Sequence, residues 1–227
     1  MYDFDHNLFL ALNFDGGAWG DKIMLAISDT PIWIPLYLMI LWLVWREDRW
    51  KGLLWFFLLM VGAIVLSDMV AGIFKANGLL GDLLPSFSPR WRPMFTPALE
   101  DLSITPDSLY ILRGMTPEEQ IAAGYTADWA VHVPIEAVTG RYGTVSAHAS
   151  TVVALAVIAS AAIRRNWFTW LMVFNTSIIC YSRIYLAKHF PMDLVWGTLV
   201  GLLVGWGAWL IYKRLRQRWT RGHRMIY

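Results

Sequence analysis

The sequence predicts an all-α protein lodged in a membrane: a polytopic bundle of about five transmembrane helices, forming one domain over residues 1–227. Three observations predict this. The 227 residues are 57% apolar and only 16% charged, whereas a soluble domain carries about a quarter charged residues. The apolar residues gather into five runs, most of them near the length that crosses a bilayer as a helix. None of these runs alternates, as the strands of a membrane barrel would. Backbone groups inside hydrocarbon must satisfy one another, which leaves helices. The formal net charge of +2 offers no surplus for nucleic acid. The single cysteine, Cys180, excludes an internal disulfide or a thiolate metal cluster.

The start of the chain, Met1-Tyr2-Asp3-Phe4-Asp5, is acidic where a signal peptide would be basic. Residues 5–13 are short, amphipathic and rich in Leu and Phe, which predicts a helix lying on the outer membrane surface. The first span covers 32–45 and could begin earlier, at 22–29. Pro31 and Pro35 interrupt that stretch and predict a kink. Arg46-Glu47-Asp48-Arg49 follows, then a second span at 53–74 that ends at Lys75. A 69-residue polar connection, 76–144, is too long for a simple link and invites a functional reading. Spans at 145–163, 167–186 and 194–212 complete the set.

Orientation follows from the basic residues. Eleven of the 19 Lys and Arg fall in 46–51, at 164–165 and in the tail from Lys213 to Arg224. Those connections are therefore predicted to be cytoplasmic. The N-terminus, the 76–144 loop and the turn near His189 then lie outside.

Five ionisable residues fall at that outer level: Lys75, His148, Arg183, His189 and Asp193. Such residues beside lipid are costly and usually functional. Lys75, Arg92 and Arg183 suit the non-bridging oxygens of a phosphate. Ser146, Ala147 and His148 open a span, where free backbone amides and a hydroxyl favour an anion. His189 and Asp193 are spaced i,i+4, so the carboxylate can orient one ring nitrogen and leave the other to attack. His148 can supply a proton to a leaving group. Two histidines and three cations without a carboxylate cluster point to phosphoryl transfer with no metal and no cofactor.

These residues match a family pattern. Ser182-Arg183, five residues, His189, three residues and Asp193 reproduce S-R-x5-H-x3-D. Val145-Ser146-Ala147-His148 resembles P-S-G-H, and Lys75 with Arg92-Pro93 resembles K-x6-R-P. In this order the chain resembles the type 2 phosphatidic acid phosphatase superfamily, the membrane relatives of vanadium haloperoxidases. The resemblance implies that His189 attacks phosphorus and forms a phosphohistidine, and that Asp193 orients it. It implies that His148 protonates the leaving group and then activates water. Lys75, Arg92, Ser146, Ala147 and Arg183 would hold the phosphate. Two departures stand out. Sixteen residues separate Lys75 from Arg92 where the pattern has six, so 76–91 must loop out and Arg90 rivals Arg92. Val145 and Ala147 replace the usual Pro and Gly.

The implied substrates are lipid phosphates met at the headgroup level. Undecaprenyl pyrophosphate is the first expectation. Lipid A and phosphatidylglycerol phosphate are alternatives, as is transfer of the phosphoryl group to a second lipid. A reading of another class is a non-catalytic anion-binding protein or transporter. It would keep the cations but could dispense with His189 or Asp193, and both are present.

Overall fold

A computed structural model describes residues 2–75, 83, 89–96, 105–122 and 131–224. The described residues form helices and turns with no strand, apart from an isolated bridge between Trp91 and Tyr142. The chain divides into two compact units. One comprises 1–28, 73–146 and 181–195; the other comprises 29–72, 147–180 and 196–227.

The second unit holds the long apolar helices. Its first is α3 (Ile34–Ile73), which follows a 3-10 turn at Thr30–Trp33 capped by Asp29. Arg49 breaks α3 with φ 55 and ψ −163. The break falls between the two apolar runs the sequence separates at Arg46–Arg49. The kink predicted at Pro31 and Pro35 takes a milder form: Pro31 lies in the 3-10 turn and Pro35 in the first turn of α3, where a missing N–H costs nothing. Helix α6 (Ala147–Ile163) and most of α7 (Asn166–Tyr185) and α8 (Pro191–Arg224) complete the unit.

Ile40, Phe56, Ile158, Phe168, Met172 and Tyr212 form its core. Gly201 and Gly205 let α8 approach α6 closely: a Cβ at Gly201 would lie 2.5 Å from the Ser150 carbonyl, and one at Gly205 2.7 Å from that of Ala154. Small residues four apart are how helices pack in lipid. The outward side chains are apolar, with Leu203 76% and Trp170 72% exposed, a surface suited to lipid rather than water. Two segments, Thr30–Ile73 and Pro191–Arg218, are long and apolar enough to cross a bilayer. The first contains both of the runs divided at Arg49. Helix α6 is apolar but 17 residues long.

The first unit is built from α1 (Tyr2–Leu12), α2 (Gly17–Ser28), α4 (Pro106–Arg113), α5 (Pro117–Ala122), two 3-10 turns, the end of α7 and the start of α8. Polar side chains tie it together. Asn13 donates to the carbonyls of His132, Ile184 and Tyr185 at 3.1, 3.2 and 2.8 Å, and accepts from the His132 amide. Arg113 donates to the carbonyls of Met94 and Val131. Burial pulls its pKa down to about 10.

Helix α1 (Tyr2–Leu12) forms where the sequence predicts a helix. A helix lying on the membrane surface so near the start of the chain would leave His6 solvated. In the structure Asp5, His6, Phe9 and Asn13 are buried, while Phe4 and Leu8 face outward. Polar residues pack here beside Phe9 because each meets a partner in the first unit: Asp5 meets Arg90 and the Met192 amide, His6 the Phe190 ring and Asn13 the His132 carbonyl.

Candidate active site

The spacing of S-R-x5-H-x3-D has a local physical cause. Helix α7 ends in a Schellman turn: the Ala187 amide donates to the Ile184 carbonyl at 2.9 Å and the Lys188 amide to that of Arg183 at 2.9 Å. Ala187 sits at the left-handed position of this turn, φ 49, where glycine is usual. The turn folds Lys188 and His189 back over Arg183, and the His189 amide also donates to the Arg183 carbonyl at 3.3 Å. Phe190 then caps α8, Pro191 fills its first position and Asp193 its third. The Asp193 carboxylate reaches back to the Phe190 amide at 3.0 Å, half of a capping box.

His189 is 3% exposed. Its Nδ1 lies 2.9 Å from the Gly143 carbonyl and 3.7 Å from the Asp193 carboxylate. A carbonyl only accepts, so Nδ1 carries the proton and the lone pair sits on Nε2, the tautomer a nucleophile needs. The direct orienting bond therefore comes from Gly143, and Asp193 acts at longer range while capping α8.

The loop 139–144 holds the other groups. Arg92 donates from Nε to the Tyr142 carbonyl at 3.2 Å and from its guanidinium to the Thr139 carbonyl. The loop is paired to the arginine segment by Arg92 N–H to Arg141 C=O (3.0 Å) and Gly143 N–H to Arg90 C=O (2.9 Å). Gly143 has little room: an added Cβ would meet the Lys188 carbonyl at 3.2 Å and the Asp193 carboxylate at 3.3 Å. Arg183 donates to the Ser28 hydroxyl. Burial lowers the Arg92 pKa, partly offset by Asp193.

Arg90 has a different place. It binds Asp5 at 2.5 Å, lies 3.6 Å from the Asp193 carboxylate and stacks on the Phe190 ring. Asp5 also accepts from the Met192 amide at 2.9 Å. Helix α1 thus braces the start of α8 through Asp5 and Arg90. The sequence offered Arg90 only as a rival to Arg92 for phosphate; the structure gives the two arginines separate partners.

The remaining expected residues fall as follows. Ser146 is buried in the first unit, and its amide donates to the Asp193 carbonyl at 3.1 Å. Ala147 is the first residue of α6, and His148, exposed, stands in its first turn within the second unit. Lys75 is half-buried just past α3 and makes no hydrogen bond or ion pair among the described residues. Most of the inserted stretch 76–91, with Leu79, Leu80, Leu84 and Phe87, lies outside the described residues, as does Asp128.

Sequence reading missed Lys188, Thr139, Gly143 and Asp5. Only Lys188 carried a signal, a cation set directly before His189 in an otherwise apolar turn. Asp15, Asp21 and His132 are spaced so that they could hold a metal ion. The same atoms serve structure: His132 Nε2 is 2.7 Å from Asp21, which also accepts from the Tyr185 hydroxyl at 2.7 Å.

Known proteins resemble this chain over nearly its whole length. A lipid A 4'-phosphatase of Porphyromonas gingivalis is 27% identical over 219 residues, 96% of this chain and 77% of the relative. A lipid A 4'-phosphatase of Bacteroides thetaiotaomicron is 27% identical over 212 residues, 93% and 77% respectively. No solved structure matches. The profile of the PAP2 superfamily matches residues 69–217, a span that contains Lys75, Arg92, Ser146, His148, Arg183, His189 and Asp193, and the chain belongs to that superfamily.

Proposed function

We propose that this protein is a membrane lipid phosphatase that removes the 4'-phosphate of a lipid A-type glycolipid, with all of 1–227 acting as one phosphatase domain. The observation that carries the chemistry is His189, fixed by the Gly143 carbonyl with its lone pair on Nε2. Arg92 and Arg183 belong to the same unit. The substrate follows the two relatives. Their activity supports lipid A ahead of the undecaprenyl pyrophosphate first expected from sequence.

In this reading Nε2 attacks phosphorus, the bond to the sugar oxygen breaks, and a phosphohistidine forms. Arg92, Arg183 and Lys75, with Ser146 and the Ala147 amide, neutralise the phosphate oxygens. The family pattern assigns His148 to protonate the leaving sugar oxygen and then to take a proton from water. That water cleaves the phosphohistidine and releases phosphate. Side-chain cations balance the charge, so the reaction proceeds without a metal.

The five-span arrangement and the periplasmic placement of the site belong to the same proposal. In the second unit, Arg165 pairs with Glu47 at 3.3 Å and Arg216 with Asp48 at 2.7 Å. These contacts gather the three basic connections at one level, as a common cytoplasmic side requires. In a Cys180→Ser background, a cysteine at Ser108 should react with an impermeant maleimide on intact cells, and one at Asn166 only after lysis. The reverse pattern places the site in the cytoplasm.

The deciding experiment is phosphate release by the detergent-purified protein, with EDTA present. The panel is lipid A phosphorylated at either position, undecaprenyl pyrophosphate and phosphatidylglycerol phosphate. Release from the 4' position is expected. Preference for the pyrophosphate would return the substrate to the polyprenyl class, and loss of activity in EDTA would require a metal.

A further inference from the structure

We propose that Lys188 is a further phosphate-binding residue, its ammonium group meeting the same phosphate as Arg92 and Arg183. This rests on reading their cluster as the phosphate site, and it deepens that reading by naming the charge the site accepts.

Lys188 is 7% exposed. It donates to a neutral hydroxyl, Thr139 Oγ1, at 2.5 Å. It makes no ion pair among the described residues. An ammonium group has three donors, and a threonine hydroxyl accepts one. The carbonyl of the same Thr139 accepts from Arg92, so one loop residue holds both cations. The backbone fixes the third: the Lys188 amide is bound to the Arg183 carbonyl, and His189 is the next residue.

Burial and the positive charges of Arg92 and Arg183 pull the Lys188 pKa down to about 7. A buried cation beside two others, with no carboxylate in contact, is costly. A bound dianion removes that cost and satisfies the remaining donors. A structural lysine would show the opposite economy, since it would support the fold in the absence of any anion. Three cations around one phosphate favour a terminal phosphate with two negative charges over a diester with one.

The test is binding of inorganic phosphate to the detergent-purified full chain, read by calorimetry and by the phosphate-dependent rise in Tm. Lys188→Met should unfold at a higher temperature than the parent without phosphate. It should bind phosphate about ten- to hundredfold more weakly, the worth of one charge-assisted hydrogen bond. Lys188→Arg, which keeps the charge, should retain most of the affinity. Three results overturn the inference: a parent that binds no phosphate, a Met variant that binds it like the parent, or a Met variant that fails to fold. Failure of the lipid phosphatase reading looks different. In that case phosphate binding depends on Lys188, but no phosphorylated lipid is hydrolysed.

Discussion

Two clusters of charge, one in each unit, show how differently the chain treats its cations. In the second unit Arg216 is 2.7 Å from Asp48, which also accepts from the Tyr212 hydroxyl at 2.6 Å, and Arg165 pairs with Glu47. These cations are neutralised by carboxylates of the chain itself. In the first unit Arg92 and Lys188 are met by carbonyls and a hydroxyl of the 139–144 loop. Those contacts orient a cation without cancelling its charge. The first cluster is neutralised within the fold; the second is the one we propose to hold an anion. Arg90 marks the boundary between the two treatments. It lies in the same unit as Arg92 and two residues away, yet it is neutralised by Asp5 and Asp193.

The sharpest break in this comparison is His189→Ala. It should lower the rate by about a thousandfold or more, because no neighbour replaces a covalent nucleophile. The Tm should stay near that of the parent. Steady-state kinetics with circular dichroism as the folding control decides it, and a rate within tenfold of the parent removes His189 from the mechanism.

Next come the paired charges. Asp48→Asn should destabilise the protein by about 1.5–3 kcal/mol, the scale of a lost charged hydrogen bond, and leave kcat and KM unchanged. Arg90→Ala should cost a similar amount and also lower kcat, since it leaves Asp5 and Asp193 without their shared cation beside His189. Parallel denaturation and kinetics separate the two variants, and an Arg90→Ala enzyme with parental kcat would reduce the brace on α8 to packing.

A smaller effect sharpens the account of unneutralised charge. Lys188 titrates near 7 in the folded chain and near its ordinary 10.5 when unfolded. Between those values the unfolded chain binds more protons, so stability rises with pH over that window. Burial is the larger cause, and the charges of Arg92 and Arg183 add to it. The phosphate-free Tm of the parent should therefore climb relative to Lys188→Met as pH rises from about 7 to 10.5. Parallel curves would mean that neither burial nor the neighbouring charges hold the lysine down.

The smallest change is expected at Ala187. Glycine there removes the left-handed strain at φ 49. Ala187→Gly should be neutral or stabilising by up to about 1 kcal/mol, with kinetics unchanged. A lost rate would show that the methyl group itself positions Lys188 or His189.

The sequence by itself determined the helical membrane character, the family and the spacing from Arg183 to Asp193. All three rest on short-range causes. Apolar runs demand lipid, and a Schellman turn followed by a capped helix needs only neighbouring residues. What tertiary structure decided depends on partners far apart in the chain. Gly143 orients His189 from 46 residues away, and Thr139 reaches Lys188 from 49. Asp5 meets Arg90 across 85 residues, and the Met192 amide across 187. Backbone carbonyls carry no side-chain identity, so no residue type at 139–144 announced that this loop aims the cations. Helix α1 shows the same limit. An amphipathic pattern says that one face is buried, but only the partners of Asp5, His6 and Asn13 decide that these polar residues lie on it beside Phe9.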